Sequence, residues 1–151
     1  MVSQRNREAA LKLKARIAQQ LKRGAGKGVE AAVRFLAARV KETLSVPAPK
    51  VKLPDGGYRA TTKAVAGAPP RMLSGRMRQG VTHKMLSPIL GAVGVHARAA
   101  PSKKHPAGFN YPKYHEENDH PYLKPTAEKY AKELKAIIGA EAKVEMRKGG
   151  W

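Results

Sequence analysis

Cysteine is absent from this chain, and its absence excludes a disulfide scaffold and a cysteine-ligated zinc site. Aromatic residues make up only 5% of the sequence, too few for the stacked platform that binds single-stranded nucleic acids. No apolar run approaches the roughly 20 residues that a membrane-spanning helix needs. The most apolar stretch, residues 86–97, contains Pro88 and His96. We therefore expect no membrane partner and a small aliphatic core.

Acidic residues are also scarce: 11 Asp and Glu stand against 30 Lys and Arg in 151 residues, a formal net charge of +19. Residues 56–115 contain no acid at all, whereas residues 116–151 are almost neutral. An excess of this size favours a polyanionic partner, which is a nucleic acid, an anionic membrane or an acidic protein. The middle of the chain also lacks the carboxylates that acid–base catalysis uses.

Two helical patterns fill residues 4–44, and three glycines separate them. In residues 4–23 an apolar face is opposed by four basic residues, which we expect to contact DNA or an acidic partner. The apolar face consists of Ala10, Leu13, Ile17 and Leu21. The basic face consists of Arg5, Lys12, Arg16 and Arg23. The glycines Gly24, Gly26 and Gly28 predict either a true break or a weak point in one long helix, because each costs about 1 kcal/mol relative to alanine.

A proline- and glycine-rich arm follows at residues 46–70. Two short strands are predicted in it, around Val51–Leu53 and Tyr58–Thr62, joined by a turn at Asp55-Gly56-Gly57. A short helix is predicted over residues 71–79.

Three strands and a helix are predicted after the arm. Residues 80–86 and 89–96 are predicted as two strands around a Ser87-Pro88 turn. Residues 111–117 are predicted as a third strand, which Pro112 limits to an edge position or a late start. The last helix is predicted from about Pro125 to Ile138, with Gly139 at its C′ position, the alternative being that residues 140–151 extend it. We expect one domain, made of an N-terminal helical region (1–45), the arm (46–70), a sheet with a C-terminal helix (71–139) and a tail (140–151).

No pattern predicts an enzyme. Gly24–Gly28 lacks the residue order of a phosphate-binding loop, since no Ser or Thr follows its lysine. In the segment His115–His120 the histidines are five residues apart and Pro121 follows, so the two imidazoles of an HExxH zinc helix are not reproduced. We expect no catalysis, no metal and no cofactor. A metal-dependent hydrolase that uses this segment is the enzymatic alternative.

Four further basic residues lie in the acid-free segment: Arg76, Arg78, Lys103 and Lys104. We expect them to contact phosphate or the acidic groups of a neighbouring subunit. The alternative is that they form a solvated face. The sequence contains no nucleic-acid recognition motif. Any contact with nucleic acid is therefore expected at its backbone, without reading of the bases.

Two segments resemble one protein family. Residues 69–81 (PPRMLSGRMRQGV) resemble a "P-x-x-(T/S)-G-x-L-(R/K)-x-(S/G)-(I/V)" stretch. Residues 111–116 (YPKYHE) and 120–128 (HPYLKPTAE) resemble a "Y-A-x-x-x-E-x-G-T…P-F-L-x-P-A-x-E" signature, although the glycine after the glutamate is missing. The family comprises the head–tail joining or tail-completion proteins of long-tailed bacteriophages, related to minor tail protein Z. The resemblance covers roughly residues 69–138, with order and spacing kept.

This resemblance implies an α+β fold, in which a small antiparallel sheet is packed by a long N-terminal helical segment and a C-terminal helix. It implies a structural motif made of Gly75, Tyr114, Glu116, Pro121, Tyr122, Leu123 and Pro125. It also implies a virion protein of the phage neck, assembled in the host cytoplasm. Such a protein forms a homo-oligomeric ring, a hexamer on the tail side.

The partners implied are a connector or stopper, the tail terminator, the tail tube and, without sequence specificity, phage DNA. The alternative function is a small basic protein that binds nucleic acid independently of sequence.

Overall fold

The computed structural model describes residues 4–48, 50–60, 68–70, 75–96, 111–117 and 120–150. Five helices and four strands lie in these ranges. The helices are α1 (Gln4–Thr43), α2 (Arg76–Gln79), α3 (Tyr111–Glu117), α4 (Leu123–Lys129) and α5 (Ala131–Lys148). The strands are β1 (Lys50–Lys52), β2 (Tyr58–Ala60), β3 (Val81–Ser87) and β4 (Leu90–Val95). The α+β fold class is confirmed.

The strands form two separate two-stranded sheets, β1–β2 and β3–β4. In the first sheet the strands are antiparallel, with Val51 opposite Arg59. Its turn is closed where the Leu53 amide donates to the Gly57 carbonyl (2.7 Å), and Gly56 adopts a φ of +83° that favours glycine. The hairpin predicted in the arm is therefore present, within the residues described. In the second sheet the strands are linked by Pro88-Ile89, one residue further along the chain than the predicted Ser87-Pro88 turn.

The chain divides into two compact units. The first consists of Met1–Arg34, Lys84–Ala92 and Lys132–Trp151, and the second of Phe35–His83 and Val93–Ala131. Helix α1 and the β3–β4 hairpin contribute residues to both units. The single domain expected from the sequence stays a prediction.

In the first unit, α1 and α5 pack closely through glycine. A Cβ atom at Gly24 would lie 2.7 Å from the Ala142 Cα, and one at Gly28 would lie 2.6 Å from the Ile138 Cα. The two pairs run in opposite directions along the chain, so the helices are antiparallel. Gly26 lies on another side of α1, against the hairpin turn. A Cβ atom at Gly26 would lie 2.5 Å from the Pro88 carbonyl oxygen. The glycines do not break the helix, because each one admits a neighbouring backbone.

The second unit holds the main buried core. Ala37 and Val40 of α1 and Leu44, which follows the helix, are buried together with Val81 of β3 and with Tyr122. Partly buried apolar side chains surround this cluster: Leu36, Met77, Val93, Val95 and Leu123. The buried side chains are mostly aliphatic, as the low aromatic content predicts, and Tyr122 is the exception.

Near the C-terminal end one prediction was wrong, and the bounds of another were too narrow. Residues 111–117 form helix α3 rather than a strand, because Pro112 lies in the first helical turn, where the missing proline N–H removes no helical hydrogen bond. The last helical region does not run from Pro125 to Ile138. It begins at Leu123, is interrupted at Tyr130, and continues through Gly139 as α5 to Lys148. The contacts of Ile138 and Ala142 with α1 lie on both sides of Gly139 and hold the helix together there.

Replacing Gly28 with alanine should destabilise the protein. The new methyl group would lie 2.6 Å from the Ile138 Cα, so the two helices must separate. We expect the free energy of unfolding to fall by about 1–3 kcal/mol, although alanine has the better helix propensity by about 1 kcal/mol. Urea denaturation followed by circular dichroism measures this loss.

Gly139→Ala is the matched control for this substitution. A Cβ at Gly139 meets no atom within 4 Å. We therefore expect Gly139→Ala to raise the free energy of unfolding by about 0.5–1 kcal/mol. Stabilisation by both substitutions would contradict the close packing of α1 on α5.

Candidate functional site

The basic face predicted for the N-terminal helix lies on one continuous helix of 40 residues. Lys12, Arg16 and Arg23 are all exposed. Arg5 lies in the first turns of α1, but its side chain is outside the described residues. The apolar face opposite is only partly covered, since Leu13 and Leu21 remain 45% and 46% exposed. Helix α5 ends at Lys148 and the following Gly149 lies against Gln20, so α5 does not extend along the start of α1.

The continuity of α1 adds two residues that the sequence analysis missed. At 100° per residue, Lys27 and Arg34 fall on the same face as Lys12, Arg16 and Arg23, within an arc of about 60°. Their side chains are 55% and 66% exposed. Spacings of four and seven residues, repeated from Lys12 to Arg34, were the signal that could have revealed them. The glycines Gly24–Gly28 concealed it, because the sequence left open whether they break the helix.

We call Lys12, Arg16, Arg23, Lys27 and Arg34 the basic ridge. All five residues belong to the first unit. At a rise of about 1.5 Å per residue, the ridge extends over about 33 Å of helix.

Two glutamates act as counter-ions at one end of the basic ridge. The Lys27 Nζ lies 2.7 Å from the Glu145 Oε1 of α5, and the Lys148 Nζ lies 3.0 Å from the same oxygen. Hydrogen bonds from Lys27 and then Lys148 lower the pKa of Glu145 to about 2. The Arg34 Nη2 lies 2.5 Å from the Glu30 Oε1, one helical turn away. The C-terminal half of the ridge is therefore partly neutralised.

The other basic residues predicted as contacts are not part of the ridge. Arg76 and Arg78 are exposed on α2, which belongs to the second unit. Gly75 precedes them at the start of this helix with a φ of +71°, a conformation that favours glycine. Lys103 and Lys104 lie outside the described residues.

Three residues of the family-like motif, Glu116, Tyr122 and Leu123, form a second feature, which we call the Glu116 corner. The Glu116 carboxylate of α3 accepts hydrogen bonds from the backbone amides of Tyr122 (2.9 Å), Leu123 (2.9 Å) and Lys124 (3.0 Å). These amides open α4, so a side chain six to eight residues earlier caps this helix. A carboxylate at a helix N-terminus also interacts favourably with the helix dipole. The Glu116 corner therefore holds α3 and α4 together.

Tyr122 fills the Glu116 corner. Its side chain is 1% exposed and its hydroxyl donates to the Pro112 carbonyl (3.3 Å). Burial, and then the charge of Glu116, raises the pKa of the Tyr122 phenol well above its ordinary value. The buried Thr126 hydroxyl donates to the Tyr122 carbonyl at 2.5 Å and lies 3.2 Å from the Thr43 hydroxyl of α1.

The remaining motif residues have different surroundings. Pro121 is half-buried, Leu123 packs against the core, and Pro125 is exposed as the third residue of α4. Tyr114 lies within α3, but its side chain is outside the described residues. Within the second unit, Glu116, Tyr122 and Leu123 thus take part in the hydrogen bonds and packing of the fold.

An aromatic cluster beside this corner was not found from the sequence. The Arg39 guanidinium lies over the rings of Phe35 (4.9 Å) and Tyr130 (5.5 Å), and these rings contact each other edge to face. Arg39 also pairs with Glu42. The cluster connects α1 with Tyr130, the residue that separates α4 from α5.

The proposed alternative of a metal site gains no support from the described residues. Among them no three His, Asp or Glu side chains are grouped as metal ligands. His120 instead places its Nδ1 3.0 Å from the Ala68 carbonyl oxygen. The side chain of His115, together with Asn118 and Asp119, lies outside the described part of the chain.

No helix in the described ranges combines the length and the apolar character needed to cross a membrane. The chain matches no protein-family model, and no curated protein or solved structure is significantly similar to it.

Removing the Glu116 carboxylate should destabilise the second unit. Glu116→Ala leaves the amides of Tyr122, Leu123 and Lys124 without their acceptor, and we expect a loss of about 1–2 kcal/mol in the free energy of unfolding. Glu117→Ala is the matched control. Its side chain is 62% exposed and pairs only loosely with Lys113, at 3.6 Å. The control should change stability by less than about 0.5 kcal/mol, and equal losses in chemical denaturation would contradict the cap.

The ion pairs of Glu145 predict a pH dependence of stability. The folded-state pKa of about 2 lies below the ordinary value of 4.5, so the stabilisation is fully present above about pH 5 and is lost as the pH falls through about 2. We expect the stability difference between wild type and Glu145→Gln to be constant above about pH 5 and to shrink below it. Glu133→Gln, which removes another carboxylate of α5, controls for net charge. A difference that has vanished by about pH 4 would contradict the lowered pKa of Glu145.

Proposed function

We propose that this chain is a structural subunit of the neck of a tailed bacteriophage. It joins head to tail, or completes the tail, as a homo-oligomeric ring around the DNA passage. It acts in the virion after assembly in the host cytoplasm. Its partners in this role are the neighbouring connector or stopper, the tail terminator, the tail tube and phage DNA.

The observation that carries the proposal is the Glu116 corner. The two parts of the second family-like segment, residues 111–116 and 120–128, are joined there by hydrogen bonds around the buried Tyr122. The motif residues Glu116, Tyr122 and Leu123 are thus used to build the fold. This use supports a structural protein rather than an enzyme, because the polar groups of the corner are occupied by backbone amides.

An exposed apolar tip supports assembly with further copies. Leu86, Ile89 and Leu90, around the β3–β4 turn, are 53%, 54% and 55% exposed, and Met85 beside them is 36% exposed. Contiguous exposed apolar side chains mark protein interaction sites. Residues 85–90 carry no charge. A second copy of this strongly basic chain can therefore approach at the tip without bringing like charges into contact.

Native mass spectrometry and negative-stain imaging test the proposal. We expect rings, with a mass near six times the 16.4 kDa of one chain for a hexamer. The second candidate function, a sequence-independent nucleic-acid-binding protein, is favoured by the exposed basic ridge. It predicts a monomer or dimer that binds duplex DNA tightly, and that result would contradict the neck proposal.

Polar substitutions at the apolar tip should weaken the assembly. In the variant Leu86→Ser/Ile89→Ser/Leu90→Ser we expect the ring to dissociate to smaller species, because the buried apolar area that holds the copies together is lost. Val51→Ser/Tyr58→Ser is the control, since both residues are exposed apolar side chains on the β1–β2 hairpin, at 51% and 67%. Sedimentation measures both variants, and dissociation of the control alone would assign the contact to that hairpin instead.

A further inference from the structure

We propose that the basic ridge binds the phosphate backbone of duplex DNA, and that phosphates displace its internal counter-ions Glu145 and Glu30. This inference rests on the proposed function only in the choice of DNA among polyanions. It adds Lys27 and Arg34 to the expected contact with DNA. At each of them a phosphate replaces the paired glutamate.

The composition of the ridge favours a polyanion over a protein surface. Between Lys12 and Arg34, the arc of the ridge holds the five basic residues and Glu30, and no apolar residue. Protein–protein interfaces are organised around an apolar and aromatic centre, and the ridge has none. Its positive charges are instead distributed along a line, which suits a ligand whose charge is also linear.

The length of the ridge suits duplex DNA. Double-stranded DNA carries one phosphate charge per about 1.7 Å of axis, so a ridge of about 33 Å faces about one turn of duplex. The five basic residues are separated by four or seven positions, or about 6 and 10 Å along the helix. Several can therefore approach phosphates at once without inserting into a groove, and no base needs to be read.

The two glutamate counter-ions can be displaced by phosphates. Lys27 and Arg34 are more than half exposed although each is paired with a glutamate. Exposed ion pairs are weak because water and salt compete with them. A phosphate can replace Glu145 at Lys27, and Lys148 still remains paired to the same carboxylate. The two glutamates thus reduce the affinity for DNA without blocking the ridge.

The first experiment measures how DNA affinity depends on salt. A labelled random-sequence duplex of about 30 base pairs is titrated with the full chain at about 50 to 300 mM NaCl, with fluorescence anisotropy as the readout. In the variant Lys12→Gln/Arg16→Gln/Arg23→Gln we expect the slope of log K against log[salt] to become shallower by about 2.7, that is about 0.9 for each contact.

A control with the same net charge separates the ridge from general attraction. Lys113→Gln/Lys124→Gln/Lys135→Gln removes three exposed lysines elsewhere. We expect its slope to stay within about 0.9 of wild type. Equal changes in the two triple variants would overturn the proposal. So would a ridge variant that loses binding to poly-glutamate but keeps its affinity for DNA, because the ridge would then serve an acidic protein.

The counter-ion exchange has its own pair of variants. Glu30→Gln/Glu145→Gln should bind DNA about threefold more tightly or better, since Lys27 and Arg34 no longer have a competing partner. Glu117→Gln/Glu128→Gln changes the net charge equally but away from the ridge, and should have a smaller effect. Equal gains in both variants would contradict the exchange. Circular dichroism confirms that each variant keeps its helices.

The outcome for the neck proposal is read separately, from the assembly state. Ridge-dependent binding by a chain that remains a monomer upholds this inference and contradicts the proposed ring. A ring whose DNA affinity is insensitive to the ridge variants upholds the proposed function and overturns this inference.

Discussion

The continuity of helix α1 through three glycines is the constraint on which the rest of the structure depends. Each of Gly24, Gly26 and Gly28 weakens an isolated helix by about 1 kcal/mol relative to alanine. The glycines permit close contacts with α5 and with the β3–β4 turn, which a Cβ atom would prevent. Burial of one large aliphatic side chain contributes about 1.5–3 kcal/mol, and α1 buries both Val33 and Val40, so packing along the helix offsets the loss. Because α1 does not break, its basic face remains in register over its whole length.

Much of the fold could be predicted from local patterns. The β1–β2 turn, the β3–β4 hairpin and the two helical patterns within residues 4–44 follow from the residues themselves. Signals from single residues failed where tertiary contacts decided the outcome. Gly139 predicts a helix end, yet Ile138 and Ala142 hold α5 against α1 on both sides of it. Pro125 predicts a helix start, yet Glu116 supplies a cap at Leu123 from another helix.

The candidate site shows the same division. The basic residues Lys12, Arg16 and Arg23 were predicted correctly as one face of a helix, because helical periodicity needs only the sequence. Lys27 and Arg34 were missed because their place depends on whether the glycines interrupt the helix, and α5 decides this. The motif residues Glu116 and Tyr122 were named from a family resemblance. Their hydrogen bonds depend on how α3 and α4 meet, which residue spacing alone does not determine.

The uneven neutralisation of the basic ridge bears on where a polyanion stabilises the protein most. Lys27 and Arg34 have counter-ions, whereas among the described residues no ion pair involves Lys12, Arg16 or Arg23. Lys12 and Arg16 are one helical turn apart, so like charges destabilise this part of α1. The first turn has no acidic residue to oppose the positive end of the helix dipole. Phosphates along the N-terminal half of the ridge would relieve the repulsion between Lys12 and Arg16, and a ligand that binds only the folded chain raises its stability. The half of the ridge from Lys12 to Arg23 is therefore the part that gains most from bound DNA.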